Sequence, residues 1–233
     1  MIRLIIAFII LYSPYCSQAN SKQCVVLLHG WAKSGKCMEA IERNLQKEGF
    51  HTINISYPSR ENTIDEIIEK YIHPNIPPNN CSEIHFIGHS MGGIVTRYYL
   101  SKYKPSNLGK VILIASPNQG SELVQKFQTT KWIANILGPG CLQIAKNSTL
   151  LTSIAKPYYK VGIISADLSI NPITSLFFLA GPDDGTVTVE STLLEDMTDH
   201  VTISSTHTMV LKHHMTFEQI KHFLEHGSFQ KKV

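Results

Sequence analysis

Two hydrophobic rhythms alternate along this chain. Short, largely apolar runs stand at Cys24-Val25-Val26-Leu27-Leu28, which is continuous, at Ile84-His85-Phe86-Ile87 and at Lys110-Val111-Ile112-Leu113-Ile114-Ala115. That is the form of strands buried on both faces. Thr52 to Tyr57 alternates apolar with polar residues and reads as a further strand, closed by Pro58; Tyr158 to Ser165 and Val201 to Ser204 read as strands too. Between them apolar residues recur at helical spacing. Met38, Ile41 and Leu45 follow the N-cap Ser34 and stop at Gly49; Ile64, Ile67, Ile68, Tyr71 and Ile72 follow the capping box Thr63-Ile64-Asp65-Glu66 and stop at Pro74, Pro77 and Pro78. Ile94 to Tyr103 and the set Phe217, Ile220, Leu224 mark two more helices. Parallel strands need crossovers, usually helical, so this alternation predicts an α/β fold: a mostly parallel, doubly wound sheet with helices on both faces.

One junction between the rhythms carries chemistry. The run from Ile84 ends in Gly88-His89-Ser90-Met91-Gly92-Gly93, which fits G-x-S-x-G, and a helix follows at once. Glycines two before and two after Ser90 leave room for a turn too sharp for side chains. Such a turn pushes the hydroxyl out of the top of the sheet and aims helix N–H groups beside it.

A serine hydroxyl is a poor nucleophile at neutral pH. It needs a base within hydrogen-bond reach and a carboxylate to fix that base. In doubly wound sheets of this kind the order is Ser, acid, His, all at the C-terminal ends of strands. Asp183 and Asp184 share the turn Pro182-Asp183-Asp184-Gly185, and position alone does not separate them. Of the histidines further on, His200 precedes the last strand, His222 and His226 fall in the final helix, and His213 and His214 read as solvated or capping. His207 alone leaves the last strand. An oxyanion hole then needs two backbone N–H groups, one from Met91 and one, at Trp31, from the loop His29-Gly30-Trp31.

Ser116 to Pro157 breaks both rhythms. It holds an amphipathic piece around Leu123, Phe127, Trp132 and Ile136 and the loop Gly138-Pro139-Gly140. Residues 121–156 are therefore the candidate cap or lid.

Composition adds a compartment and excludes some partners. Met1 to Leu11 carries one Arg in an apolar run too short to span a bilayer comfortably, followed by Ser17-Gln18-Ala19. This reads as a signal peptide cleaved after Ala19, hence export to the periplasm or beyond. Cleavage leaves 233 − 19 = 214 residues (20–233), enough for one well-cored domain. Without Arg3 the formal charge falls from +3 to +2, which makes no case for nucleic acid. The remaining cysteines, Cys24, Cys37, Cys81 and Cys141, are even in number, which favours disulfides in an exported chain. Cys24 and Cys81 each precede a strand, so the expected pairs are Cys24–Cys81 and, by subtraction, Cys37–Cys141. No spacing suggests zinc, and no glycine-rich phosphate loop is present.

Six stretches taken together resemble a known family. They are Leu28-His29-Gly30-Trp31; Tyr57-Pro58-Ser59-Arg60; Gly88 to Gly93; Ser116-Pro117-Asn118-Gln119-Gly120-Ser121-Glu122; Gly181 to Ser191, with its Asp184-Gly185-Thr186-Val187; and Thr206-His207-Thr208. Their joint order, from about residue 23 to 226, is similar to that of small exported bacterial α/β-hydrolases of the lipase and esterase type. The resemblance implies Ser90 as nucleophile, His207 as base, Asp184 rather than Asp183 as acid, and Trp31 and Met91 as oxyanion donors. It implies no cofactor. Larger secreted relatives hold a structural calcium through an Asp soon after the histidine; here Thr208-Met209-Val210-Leu211 follows, so no metal site is expected. The implied substrate is a small-molecule or lipid ester, with transient contact at a lipid interface. Thioester hydrolysis or acyl transfer would use the same groups. A silent hydrolase domain that binds a lipid or a partner protein is the reading from another class.

Overall fold

The structure, a computed structural model, describes residues 22–77, 81–170, 175 and 178–231. The expected leader over residues 1–19 and the prolyl stop at Pro78 lie outside them. Six strands, β1 (Gln23–Leu28), β2 (His51–Ile55), β3 (Glu83–His89), β4 (Leu108–Ile114), β5 (Val161–Ala166) and β6 (Asp199–Ile203), form one sheet in the order β2-β1-β3-β4-β5-β6. Every neighbouring pair is parallel. The α-helices that lie wholly within the described residues are α1 (Glu39–Lys47), α2 (Ile64–Ile67), α3 (Met91–Tyr103), α4 (Glu122–Phe127), α5 (Lys131–Leu142), α6 (Thr149–Ser153), α7 (Val189–Thr192) and α8 (His214–His226).

Unbroken apolar strands feed two cores, because successive side chains point to opposite faces. On β1, Val26 and Leu28 enter one core with Ile64, Ile67, Ile94 and Val95 of α2 and α3. Val25 and Leu27 enter the other with Ile41 and Leu45 of α1 and Ile220, Phe223 and Leu224 of α8. The capping box forms as written: Thr63 Oγ1 accepts from Glu66 N–H, and the Glu66 carboxylate accepts from Thr63 N–H. The helix after it is α-helical only to Ile67 and continues to Ile72 as a π turn. The last two strands lie a few residues from their expected bounds, so His200 sits inside β6. There its Nε2 lies 2.8 Å from Ser165 Oγ.

The disulfide expectation needs a correction. Cys24 and Cys81 form a bridge with their Cα atoms 5.7 Å apart, because β1 and β3 pair directly and Cys81 stands just before β3. Cys37 and Cys141 are free thiols. Cys37 packs against the core of α1 and α8, whereas Cys141 is buried in the core on the opposite face of the sheet. The sheet stands between them, so subtraction misled. The Cys24–Cys81 bridge closes a loop of 57 residues. On the chain-entropy account, losing it costs about 4 kcal/mol. Urea unfolding of a Cys24→Ser, Cys81→Ser double variant should show a clearly lower midpoint; an unchanged midpoint would mean that the bridge does not form in solution.

Candidate active site

Ser90 stands at the tip of the β3–α3 turn with φ 54° and ψ −127°, a conformation that costs a non-glycine residue about 1–3 kcal/mol. The glycines around it make the turn possible. A Cβ at Gly88 would fall 2.6 Å from Gly92 O, and one at Gly92 would collide with Leu28 O. Hydrogen bonds hold the tip: Ser90 N–H donates to Ile114 O at 2.9 Å, and Ser116 Oγ–H donates to Ser90 O at 2.8 Å.

Three residues far apart in sequence meet here. His207 Nε2 lies 3.0 Å from Ser90 Oγ, and His207 Nδ1 lies 2.7 Å from Asp184 Oδ2. The other carboxylate oxygen, Asp184 Oδ1, accepts from Thr186 N–H at 3.0 Å and Val187 N–H at 2.8 Å. The Asp184 side chain is 1% exposed and that of His207 15%. Asp183 turns the other way: its Oδ1 accepts from Gly185 N–H at 2.7 Å and from Ser175 Oγ at 2.8 Å, so it braces the loop. The chain Asp184–His207–Ser90 can draw the hydroxyl proton onto Nε2 while the carboxylate balances the imidazolium.

Met91 follows Ser90 directly, and Trp31 lines the same cavity as Ser90. Met91 N–H is the first amide of α3, one of those that a helix leaves without an intrahelical acceptor. The loop after β1 presses on the nucleophile, since a Cβ at Gly30 would sit 2.9 Å from Ser90 Cβ. That loop is fastened from several sides. The His29 ring stacks on Tyr57 at 4.0 Å and accepts Tyr57 N–H, while Tyr57 Oη donates to His29 O. Ser59 Oγ accepts from Ala32 N–H, and Trp31 Nε1–H donates to Leu137 O at 2.8 Å.

Sequence reasoning gave no role to Tyr57, Ser59, Ser116 or His89. All four stood inside quoted motifs, where a polar group at a strand end was the available signal. His89 is buried, and its Nε2–H donates to His207 O at 2.9 Å. Burial and the adjacent His207 push its pKa down to about 3, so it stays neutral. Of the other histidines, His213 caps α8 and His222 Nδ1 bonds Ser228 O.

The residues 121–156 form α4, α5 and α6 over this end of the sheet. The expected Gly138-Pro139-Gly140 loop is a kink within α5, with Gly138 at φ 75°. A Cβ there would collide with Arg60 O, so glycine lets α5 lie against the loop after β2. Gln143 Oε1 accepts Ile64 N–H at 2.7 Å and fastens the same seam. Between these helices and the end of the sheet lies a cavity of about 310 Å³ that reaches Ser90 and His207. Burial pushes the pKa of the Cys141 thiol in its wall up to about 12, so it is inert as a nucleophile. Among the described residues no group of three or more His, Cys, Asp or Glu side chains could hold a metal ion.

The family described as alpha/beta hydrolase fold matches residues 23–137. No curated protein sequence matches the chain. Among solved structures, the mature form of a lipase from Bacillus licheniformis is similar at 16% identity and a TM-score of 0.62, over 88% of this chain and 92% of that one. The propeptide form of that lipase is covered over 52% of its length. A metagenomic carboxyl esterase is similar at 16% identity and a TM-score of 0.58, over 81% of this chain and 65% of that one. A bromoperoxidase from Bacillus anthracis, at 15% identity, has a TM-score of 0.58 over 88% and 92%.

Proposed function

By fold this chain is an α/β-hydrolase, and from that we propose that it is a serine hydrolase of carboxylic esters. The observation that carries the reading is the unbroken hydrogen-bonded chain from Ser90 Oγ through His207 to the buried Asp184. The structural neighbours named lipase and carboxyl esterase support it.

In the first step Ser90 Oγ attacks the acyl carbon while its proton passes to His207 Nε2. The bond to the alcohol oxygen breaks as His207 returns that proton to the departing alcohol, leaving an acyl ester on Ser90. Water then attacks the acyl carbon, giving a proton to His207 Nε2. Ser90 oxygen leaves and takes the proton back. Asp184 accepts the Nδ1–H throughout. Trp31 N–H and Met91 N–H are the donors for the tetrahedral oxyanion, each typically worth about 10²–10³ in rate.

An ester presented at a lipid surface is supported by apolar side chains exposed at this end of the sheet: Trp132 and Ile136 on α5, Leu168 and Ile170 after β5, and Met209 just beyond His207. Export belongs to the same proposal. Its support is the apolar leader and the Cys24–Cys81 bridge, a bond that persists in oxidising compartments; the mass of the mature chain tests it.

A fluorophosphonate probe should label the purified protein at Ser90, and short p-nitrophenyl esters should block the labelling as they are hydrolysed. A protein that neither labels nor releases acid from any ester would sink the proposal.

A further inference from the structure

We propose that Lys33 makes this site selective for esters whose departing alcohol carries an anion, a phosphate above all. The inference rests on the ester-hydrolase reading above and extends it to the leaving group.

Proton transfer fixes where the alcohol departs. The base that takes the serine proton must hand it to the leaving oxygen, so the alcohol lies on the His207 side of the acyl carbon. The cavity around Ser90 has two unlike walls. Toward α4 and α5 it is apolar, with Leu123, Val124, Leu137 and Ile144, a surface suited to an acyl chain. Elsewhere it is polar, with Lys33 and Thr208 as its exposed members.

Lys33 lines the cavity together with His89, His207 and Thr208. The His89 ring donates to His207 O and lies 4.9 Å from the His207 ring. Thr208 is the next residue after His207. The cation and the Thr208 hydroxyl thus line the same cavity in which His207 protonates the departing alcohol.

No carboxylate pairs with Lys33 among the described residues, and no Asp or Glu lines the cavity. An unpaired ammonium beside a partly desolvated opening favours an anion there, and its flexible stem lets it follow a phosphate that is not rigidly placed. The bland alternative is a solvated lysine that touches nothing during the reaction. The two differ in what a single uncharged substitution does to the ranking of substrates.

The test uses two soluble esters with one acyl group: hexanoylglycerol, and hexanoylglycerol bearing a phosphate on the glycerol. The purified protein should favour the phosphate ester in kcat/KM by about fivefold at low salt, the upper scale of one charge pair at an exposed lysine. That preference should shrink as salt screens it. Lys33→Met should bring the two esters to within about twofold of each other, and Lys33→Glu should invert the order. Because Lys33 is exposed, neither change disturbs a core. Hydrolysis of both esters at equal kcat/KM, or a preference that survives Lys33→Met, overturns this inference and leaves the hydrolase reading standing. Hydrolysis of neither ester overturns both.

Discussion

Ser90→Ala lowers ester hydrolysis by on the order of 10⁴-fold or more and abolishes fluorophosphonate labelling. Removal of Oγ takes away the atom that bonds to the acyl carbon, and with it the acyl-enzyme route. What survives is the contribution of the oxyanion donors and of substrate positioning, which can still favour direct attack by water. The fold does not depend on the hydroxyl. Ser90 Oγ has His207 Nε2 as its hydrogen-bond partner, and the turn is held instead by Ser90 N–H on Ile114 O and Ser116 Oγ on Ser90 O. Alanine keeps the same Cβ and bears the same strain at φ 54°. The melting temperature of Ser90→Ala should therefore stay within a few degrees of the parent. A variant that remains folded and keeps a tenth of its ester hydrolysis would show that the chemistry lies elsewhere.

Where the physics was local, the sequence was readable. The strand-to-helix junction at Ser90 could be read because two glycines at fixed offsets are a steric necessity: both would drive a Cβ into backbone oxygen. The Thr63–Glu66 box could be read because it is closed by residues three apart. Elimination singles out His207, since only one histidine leaves a strand at the right end of the sheet, and the geometry puts that residue on Ser90. Contacts that span the fold left no local trace. Gly138-Pro139-Gly140 reads as a loop; in the fold it is a kink between two helical stretches, and the contact that requires glycine at 138, Arg60 O, comes from a distant segment. The π turn at Ile68–Ile72 keeps apolar spacing that an α-helix would also show. Pairing Cys37 with Cys141 required knowing which side of the sheet each occupies, and that is a tertiary fact. His89 was invisible for the same reason: its partner is a carbonyl 118 residues away.

Asp184→Asn should lower kcat by about 10⁴-fold, and Asp183→Asn by less than tenfold, although the two residues are adjacent. Hydrogen bonds at the site set the difference. Asp184 Oδ1 accepts two backbone N–H groups, from Thr186 and Val187. In the Asp184→Asn variant the side-chain amide oxygen must keep that place, because the NH₂ group cannot accept. The NH₂ then faces His207 Nδ1 and donates to it. Nδ1 becomes an acceptor, so the ring proton moves to Nε2, which now presents N–H to Ser90 Oγ. A ring in that tautomer cannot take the serine proton, and no carboxylate remains to balance an imidazolium. Labelling by fluorophosphonate should slow in step with ester hydrolysis, since both need the same activated oxygen. Asp183 offers a contrasting control. Its Oδ1 accepts from Gly185 N–H and Ser175 Oγ, and the amide oxygen of the Asp183→Asn variant accepts both equally well. Steady-state kinetics on the two variants, with melting temperatures to show that both fold, decide the matter. Equal losses would mean that the turn matters as a whole, and a larger loss at Asp183 would transfer the acid to that residue.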